Sequence, residues 1–200
     1  MAENSDYPSI LSLFPLQTVL FPGNKLPLRI FEPRYVDLVG RCMREQQAFG
    51  IVGISSGQEA GAIPEIFDIG TEVHIIDFDQ GKDGLLNIVV EAARRFRVNS
   101  TRTREDNLLT AAVTFLPALV APTEQTQRPN LDAVFAQLIA HPDLADKINP
   151  NGTALDKAYE ILSFLPLANA HKVALLGAED ALTMLSELEH LIGEMRRSAE

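Results

Sequence analysis

The sequence predicts an α+β protein, a mostly antiparallel β part over residues 10–118 followed by a small helical part over 119–197. Three observations carry that prediction. Up to Pro117 the apolar residues alternate or run in short stretches bounded by Gly, Pro, Asn and Asp, the pattern of strands and turns. The stretch "PALVAPTEQTQRPN", 117–130, carries three prolines and marks a boundary. Beyond it the apolar period changes from 2 to 3.6.

Each element has its own signal. Ile10–Leu16 and Leu26–Phe31 read as short strands joined by "FPGN" at 21–24, where proline followed by glycine suits a type II turn. Pro33 fits the first turn of a helix, and Tyr35, Val36, Val39, Cys42 and Met43 recur at helical spacing through about Gln47. Phe49–Ile54 is a third strand, and "SSGQEAGAIPE" at 55–65 a loop. The runs 69–79 and 85–98, separated by "QGKDG", form a hairpin. In its second strand Leu86, Ile88, Val90, Ala92, Phe96 and Val98 are expected on one face, with Asn87, Glu91, Arg95 and Arg97 opposite and Arg94 at the rim. The last strand covers 108–117. In the helical part, Thr153 and Asp156 form a capping box, and a long final helix spans Ala178–Arg197.

Composition narrows the function. With 200 residues and 46% apolar content, the chain can build a real core, as one compact domain or two small ones. Seventeen basic against 27 acidic residues give a net charge of −10, which disfavours nucleic acid and anionic membranes as partners. A lone cysteine allows no internal disulfide, and no signal peptide or long apolar run is present, so the expectation is a cytoplasmic protein without membrane attachment.

Reactive motifs are scarce. There is no phosphate-binding P-loop, no nucleophile elbow and no zinc-protease motif, and His74, His141, His171 and His190 stand singly. "DFDQGKDGLLNIVVE", 77–91, resembles a calcium loop but misplaces positions 3 and 12, so a polar hairpin tip is the expectation. Cys42 falls on the buried face of the first helix with no basic group one turn away, as a core thiol would. "RRFRVNSTRTR", 94–104, gathers Arg94, Arg95, Arg97, Arg102 and Arg104 around an aromatic, which makes it the alternative RNA-binding patch. No catalytic set, metal site or cofactor is expected.

Three stretches together resemble the N-terminal substrate-recognition domain of the ATP-dependent protease Lon, the LON domain. They are "FPLQTVLFPGNKLPLRIFEPRY", the hairpin "EIFDIGTEVHIIDF" with "LNIVVEAARRFRV", and "YEILSFLPLANAHKVALLGAEDALTMLSEL". The resemblance covers roughly residues 10–195, although Ala92 stands where the family commonly has glycine. It implies a PUA-like, partly open antiparallel β-barrel of about six strands followed by a small helical subdomain. Because the chain ends at Glu200, before any ATPase or peptidase module, the resemblance implies a stand-alone, non-enzymatic adaptor. Its implied partners are unfolded or extended protein segments or a component of a protease system, and it implies a capacity to form homo-oligomers. Leu20, Phe21, Pro22, Leu26 and Phe31 are the candidate contact residues. Of these, Leu26 and Phe31, together with Leu28, are expected inside, because large apolar residues are usually buried. The tip around Phe21, Pro22 and Gly23 is expected to reach the partner.

Overall fold

The computed structural model describes residues 9–122, 127–144 and 148–199. The chain divides into two compact units, Met1–Leu116 and Pro117–Glu200. The first holds β1 (Ser9–Leu16), β2 (Lys25–Ile30), α1 (Pro33–Glu45), β3 (Phe49–Ser56), β4 (Glu65–Gln80), β5 (Leu86–Thr103) and β6 (Leu109–Phe115).

These six strands form one sheet in the order β2-β5-β4-β3-β1-β6. β5 pairs with β4 along one edge and, along the other, with β2 through Leu86–Glu91 and then with β6 through Phe96–Thr103. The sheet therefore curls back through β5 as a partly open barrel, leaving β2 as an edge strand. One pairing corrects the antiparallel expectation: β1 and β3 run parallel, Leu13 beside Gly50. Two strands can run parallel only if the chain crosses over between them, and here β2 and α1 make the crossover. The sheet is mixed.

Apolar residues pack on both of its faces. Phe14, Ile30, Tyr35, Leu38, Phe49, Ile51, Val73, Val90 and Ala92 belong to one cluster, under α1, while Leu13, Val52, Phe96, Leu109 and Val113 belong to the other. In β1 and β3 adjacent residues divide between the two, as strand alternation requires. In β5, Ala92 and Phe96 would share a face by parity, yet they serve opposite clusters. A bulge explains it: Ala92 faces Val73, but Arg95 faces Thr71, so β5 carries one extra residue there. The expected single apolar face of β5 is thus corrected, and Arg95 turns inward, 4% exposed. Phe96 covers Gly50 and Gly70, where an added Cβ would lie 2.7 and 2.6 Å from its ring.

α1 begins on Pro33 and ends at Gln46 in the left-handed region, φ 52°. Tyr35 stacks on Phe14 at 3.9 Å between centroids, and burial pushes its hydroxyl up to about 12.

The second unit is helical: α2 (Pro129–Ala140), α3 (Ala154–Phe164), α4 (Asn169–Leu176) and α5 (Ala181–Ala199). The Thr153/Asp156 box opens α3, with the Asp156 amide donating to Thr153 Oγ1 (3.2 Å) and the Thr153 amide to Asp156 Oδ2 (2.8 Å). α5 starts at Ala181, three residues later than expected from Ala178, because Asp180 accepts from the Thr183 amide at 2.8 Å and so stands as its cap. α2 has no cap of its own. Glu189 of α5 supplies one, its carboxylate accepting from the amides of Asn130 (2.9 Å) and Leu131 (2.8 Å).

Candidate functional site

The open end of the sheet, where β2, β5 and the far half of β4 lie side by side, carries a groove. Register sets its lining. Leu28, Ile88 and Phe78 stand in one row across the three strands, and Pro27, Val89 and Asp77 stand in the next row on the opposite face. At the centre of the first row Ile88 is buried, but Phe78 at its end is 59% exposed. A bulge between Ile75 and Asp77 leaves Ile76 without a partner, and its side chain is 44% exposed. Phe31, just past the end of β2, is 61% exposed. Large apolar groups in water are the informative exception to burial, and here three lie at one end of the sheet.

Three cavities lie at this end of the sheet. One, about 300 Å³, is lined by Pro27, Leu28, Asp77, Phe78, Ile88 and Val89, among others. A second, of about 320 Å³, shares Asp77 and Phe78 and reaches Met43 and Gln47 at the end of α1. A third, of about 170 Å³, shares Pro27 and Leu28 and reaches Phe31 and Tyr35. Each is of a size to take a large side chain.

The rim is charged. Arg29 is paired with Asp83, and Lys25 lies 3.9 Å from Glu91. One oxygen of Asp77 accepts the Phe78 amide at 2.9 Å. Neither Asp77 nor Asp79 is in an ion pair among the described residues. Pro27, in the edge strand, has no N–H to offer, so β2 is a poor template for an added strand.

The structure redistributes the contact residues expected from sequence. Phe21 is fully buried, which corrects its expected place at the surface. The turn itself is as expected: the Asn24 amide donates to the Phe21 carbonyl at 3.1 Å and Gly23 has φ 81°, the geometry of a type II turn. It is pinned to β5, however, by the Gly23 amide on the Ala92 carbonyl (2.8 Å) and the Ala92 amide on the Asn24 carbonyl (2.9 Å). Leu20 is buried too, its carbonyl accepting from Thr71 Oγ1 at 2.7 Å. Pro22 is half-buried, and Leu26 and Leu28 are half-buried against the cluster under α1. Phe31 is corrected in the opposite sense. Positions 26, 28 and 30 of β2 face inward, so position 31 has the parity of the exposed set.

The five arginines do not form a free cationic patch. Arg94 makes two bonds to Glu72, at 2.7 and 2.8 Å, which hold it more firmly protonated, and its guanidinium lies over the Phe115 ring at 3.7 Å. Arg97 pairs with Asp68 at 2.7 Å and Arg104 with Asp106 at 3.5 Å. Arg95 is buried, and Arg102 is exposed.

Sequence reasoning missed Phe78, Ile76 and Asp77 as site residues. The available signal was an aromatic residue set between two aspartates at a hairpin end, which on a polar tip has no reason to be apolar. Burial pushes the Cys42 thiol up, away from nucleophilic chemistry. Among the described residues, no group of three His, Cys, Asp or Glu side chains is placed to hold a metal ion, and no helix is long and apolar enough to cross a membrane.

A curled mixed sheet followed by a helical unit is the architecture of Lon N-terminal domains. A crystal structure of a Lon N-terminal domain protein from Xanthomonas campestris matches with a TM-score of 0.70 and 32% identity, over 90% of this chain and 96% of that one. The N-terminal domain of a Mycobacterium avium complex Lon protease matches at a TM-score of 0.62 and 18% identity, over 92% and 98%, a likeness of fold. The chain belongs to the family described as the ATP-dependent protease La (LON) substrate-binding domain, whose model matches residues 10–194. Curated relatives include a Lon protease of Cytophaga hutchinsonii, 26% identical over 116 residues, and protein cereblon of Xenopus tropicalis, 30% identical over 114. Those matches take in 57% and 56% of this chain but only 14% and 24% of the relatives' own lengths.

Proposed function

We propose that this chain is a non-enzymatic protein-binding module that accepts unfolded or extended polypeptide segments, serving as an adaptor or regulator of protein quality control in the cytoplasm. The observation that carries the reading is the exposure of Phe31, Ile76 and Phe78 at the open end of the sheet, each beside a side-chain-sized cavity. Exposed apolar groups gathered in one place mark interaction surfaces, and central aromatic anchors tend to dominate their binding energy. Membership of a family described as substrate-binding supports the same reading. The anchors are carried by β2, β4 and the segment leaving β2, so they are held ready by the sheet and lose little freedom on binding.

The test uses a fluorescently labelled model protein, once chemically unfolded and once folded, with the whole chain as binder and anisotropy as readout. The unfolded form should bind and the folded form should not. The double variant Phe31→Ser, Phe78→Ser should weaken binding by about tenfold or more with the melting temperature unchanged, since both side chains are exposed. Equal retention of folded and unfolded protein, or indifference to the double variant, overturns the proposal.

A further inference from the structure

We propose that an extended polypeptide segment adds as an antiparallel strand to a free edge of β5, with apolar residues opposite Thr101 and Thr103 and an acidic residue opposite Arg102. This goes beyond the docking reading above by placing a second polypeptide site at the other end of β5.

The opening is a fork between two strands. β4 and β5 pair from Gln80 and Leu86 to Ile69 and Arg97 and no further. Past that point β4 follows β3, with Ile66 opposite Ile54, while β5 follows β6 as far as Thr103 opposite Leu109. The edge of β5 that faced β4 is therefore unpaired over 98–103 among the described residues. The Asp68–Arg97 ion pair, 2.7 Å, stands where the strands part. A cavity of about 450 Å³ follows, lined by Glu65 and Ile66 of β4 and by Val98, Thr101 and Thr103 of β5, among others.

The backbone bonds show which groups are free. The Arg104 amide donates to the Leu108 carbonyl at 2.9 Å, and the Arg102 carbonyl accepts from Thr110 Oγ1 at 3.0 Å. Positions 102 and 104 thus turn their polar backbone groups toward β6. Alternate residues of an antiparallel ladder turn theirs to opposite edges, so Thr101 and Thr103 present N–H and C=O to the fork. Both residues are exposed. Unlike β2 with its Pro27, the 98–103 segment contains no proline, so a strand can pair along it.

Register specifies the occupant. Thr101 lies opposite Ala111 and Thr103 opposite Leu109, both buried in the cluster that holds Leu13, Phe96 and Val113. Residues of an added strand opposite the two threonines extend those rows, on the cavity that the half-buried Ile66 and Val98 also line, and apolar side chains suit them. The residue between them shares the other face with Arg102, which is exposed and in no ion pair among the described residues. A carboxylate there makes a cross-strand pair with the guanidinium. A second copy of this chain is a poorer occupant. Antiparallel self-pairing centred on this segment sets Arg102 against Arg102 and joins two molecules of net charge −10.

The experiment uses the whole chain and an unstructured, fluorescein-labelled peptide with a Val-Glu-Val core between Gly-Ser flanks. At saturation, hydrogen exchange at the Thr101 and Thr103 amides should slow by about tenfold or more, with the Arg102 amide, already turned to β6, changing less. Methylating the two valine amides, which would bond to β5, should weaken binding about tenfold by anisotropy. Replacing the glutamate with lysine should weaken it about 2- to 5-fold at low salt, a difference that Arg102→Gln should remove. The double variant Phe31→Ser, Phe78→Ser should bind this peptide unchanged. No added protection at Thr101 and Thr103, or indifference to methylation, overturns strand addition. If binding is instead lost in the Phe31 and Phe78 variant, the peptide docks at the other end and only the earlier reading stands. Equal binding of the glutamate and lysine peptides overturns the acidic selection, and no binding of either overturns the inference altogether.

Discussion

At position 21 a phenylalanine that looks, in sequence, like the tip of a turn is one of the largest fully buried side chains of the protein. At position 31 a phenylalanine that looks like the end of a core strand stands in water. The exchange has a simple test. Phe21→Ala removes a buried ring and should cost about 3–5 kcal/mol of unfolding free energy in a denaturant titration. Phe31→Ala should stay within about 0.5 kcal/mol, because the ring has little burial to lose. Equal costs would mean that the parity of β2 is misassigned. Arg94 makes a related point. With two bonds to the buried Glu72 and its guanidinium over Phe115, it is a structural residue before it is a surface charge. Removing it would strand a buried carboxylate without its partner.

Two features belong to elements, and neither is visible in any one of them. The bulge in β5 lets one strand serve both faces of the sheet, with Ala92 in the cluster under α1 and Phe96 in the opposite one. Beside it, in the pairing with β4, Gly70 has no Cβ to obstruct the Phe96 ring. The cap of α2 likewise comes from another helix, through Glu189 of α5. Anionic groups at a helix N-terminus are favoured by its unpaired amides and its dipole. Glu189→Ala should therefore lower the stability of the chain by about 1–2 kcal/mol, and α2 should lose hydrogen-exchange protection at its first turn before α3 does. Unchanged protection at Asn130 and Leu131 would show that the carboxylate does not cap.

For the molecule as a whole, charge is the dominant long-range property. A net charge of −10 and the ion pairs of Arg94, Arg97 and Arg104 leave little positive field for a phosphate backbone. An oligoribonucleotide at about 50 mM salt, where phosphate contacts are strongest, should bind more weakly than roughly 10⁻⁴ M by anisotropy. Tighter, salt-sensitive binding would restore the RNA reading. Much of the fold was legible in the sequence, because its signals are local. Pro22-Gly23 specified a turn type, Pro33 a helix start and Thr153 with Asp156 a cap, each through bonds made within a few residues. The change of period after residue 117 separated strands from helices for the same reason. By itself the sequence determined the element types, their order and the acidic charge. Only the tertiary structure decided that β1 lies parallel to β3, that Phe21 is enclosed while Phe31 and Phe78 are bare, and that three arginines are neutralised by carboxylates. Those outcomes depend on which strand lies beside which and in what register, and a shift of one residue in a pairing exchanges inside for outside.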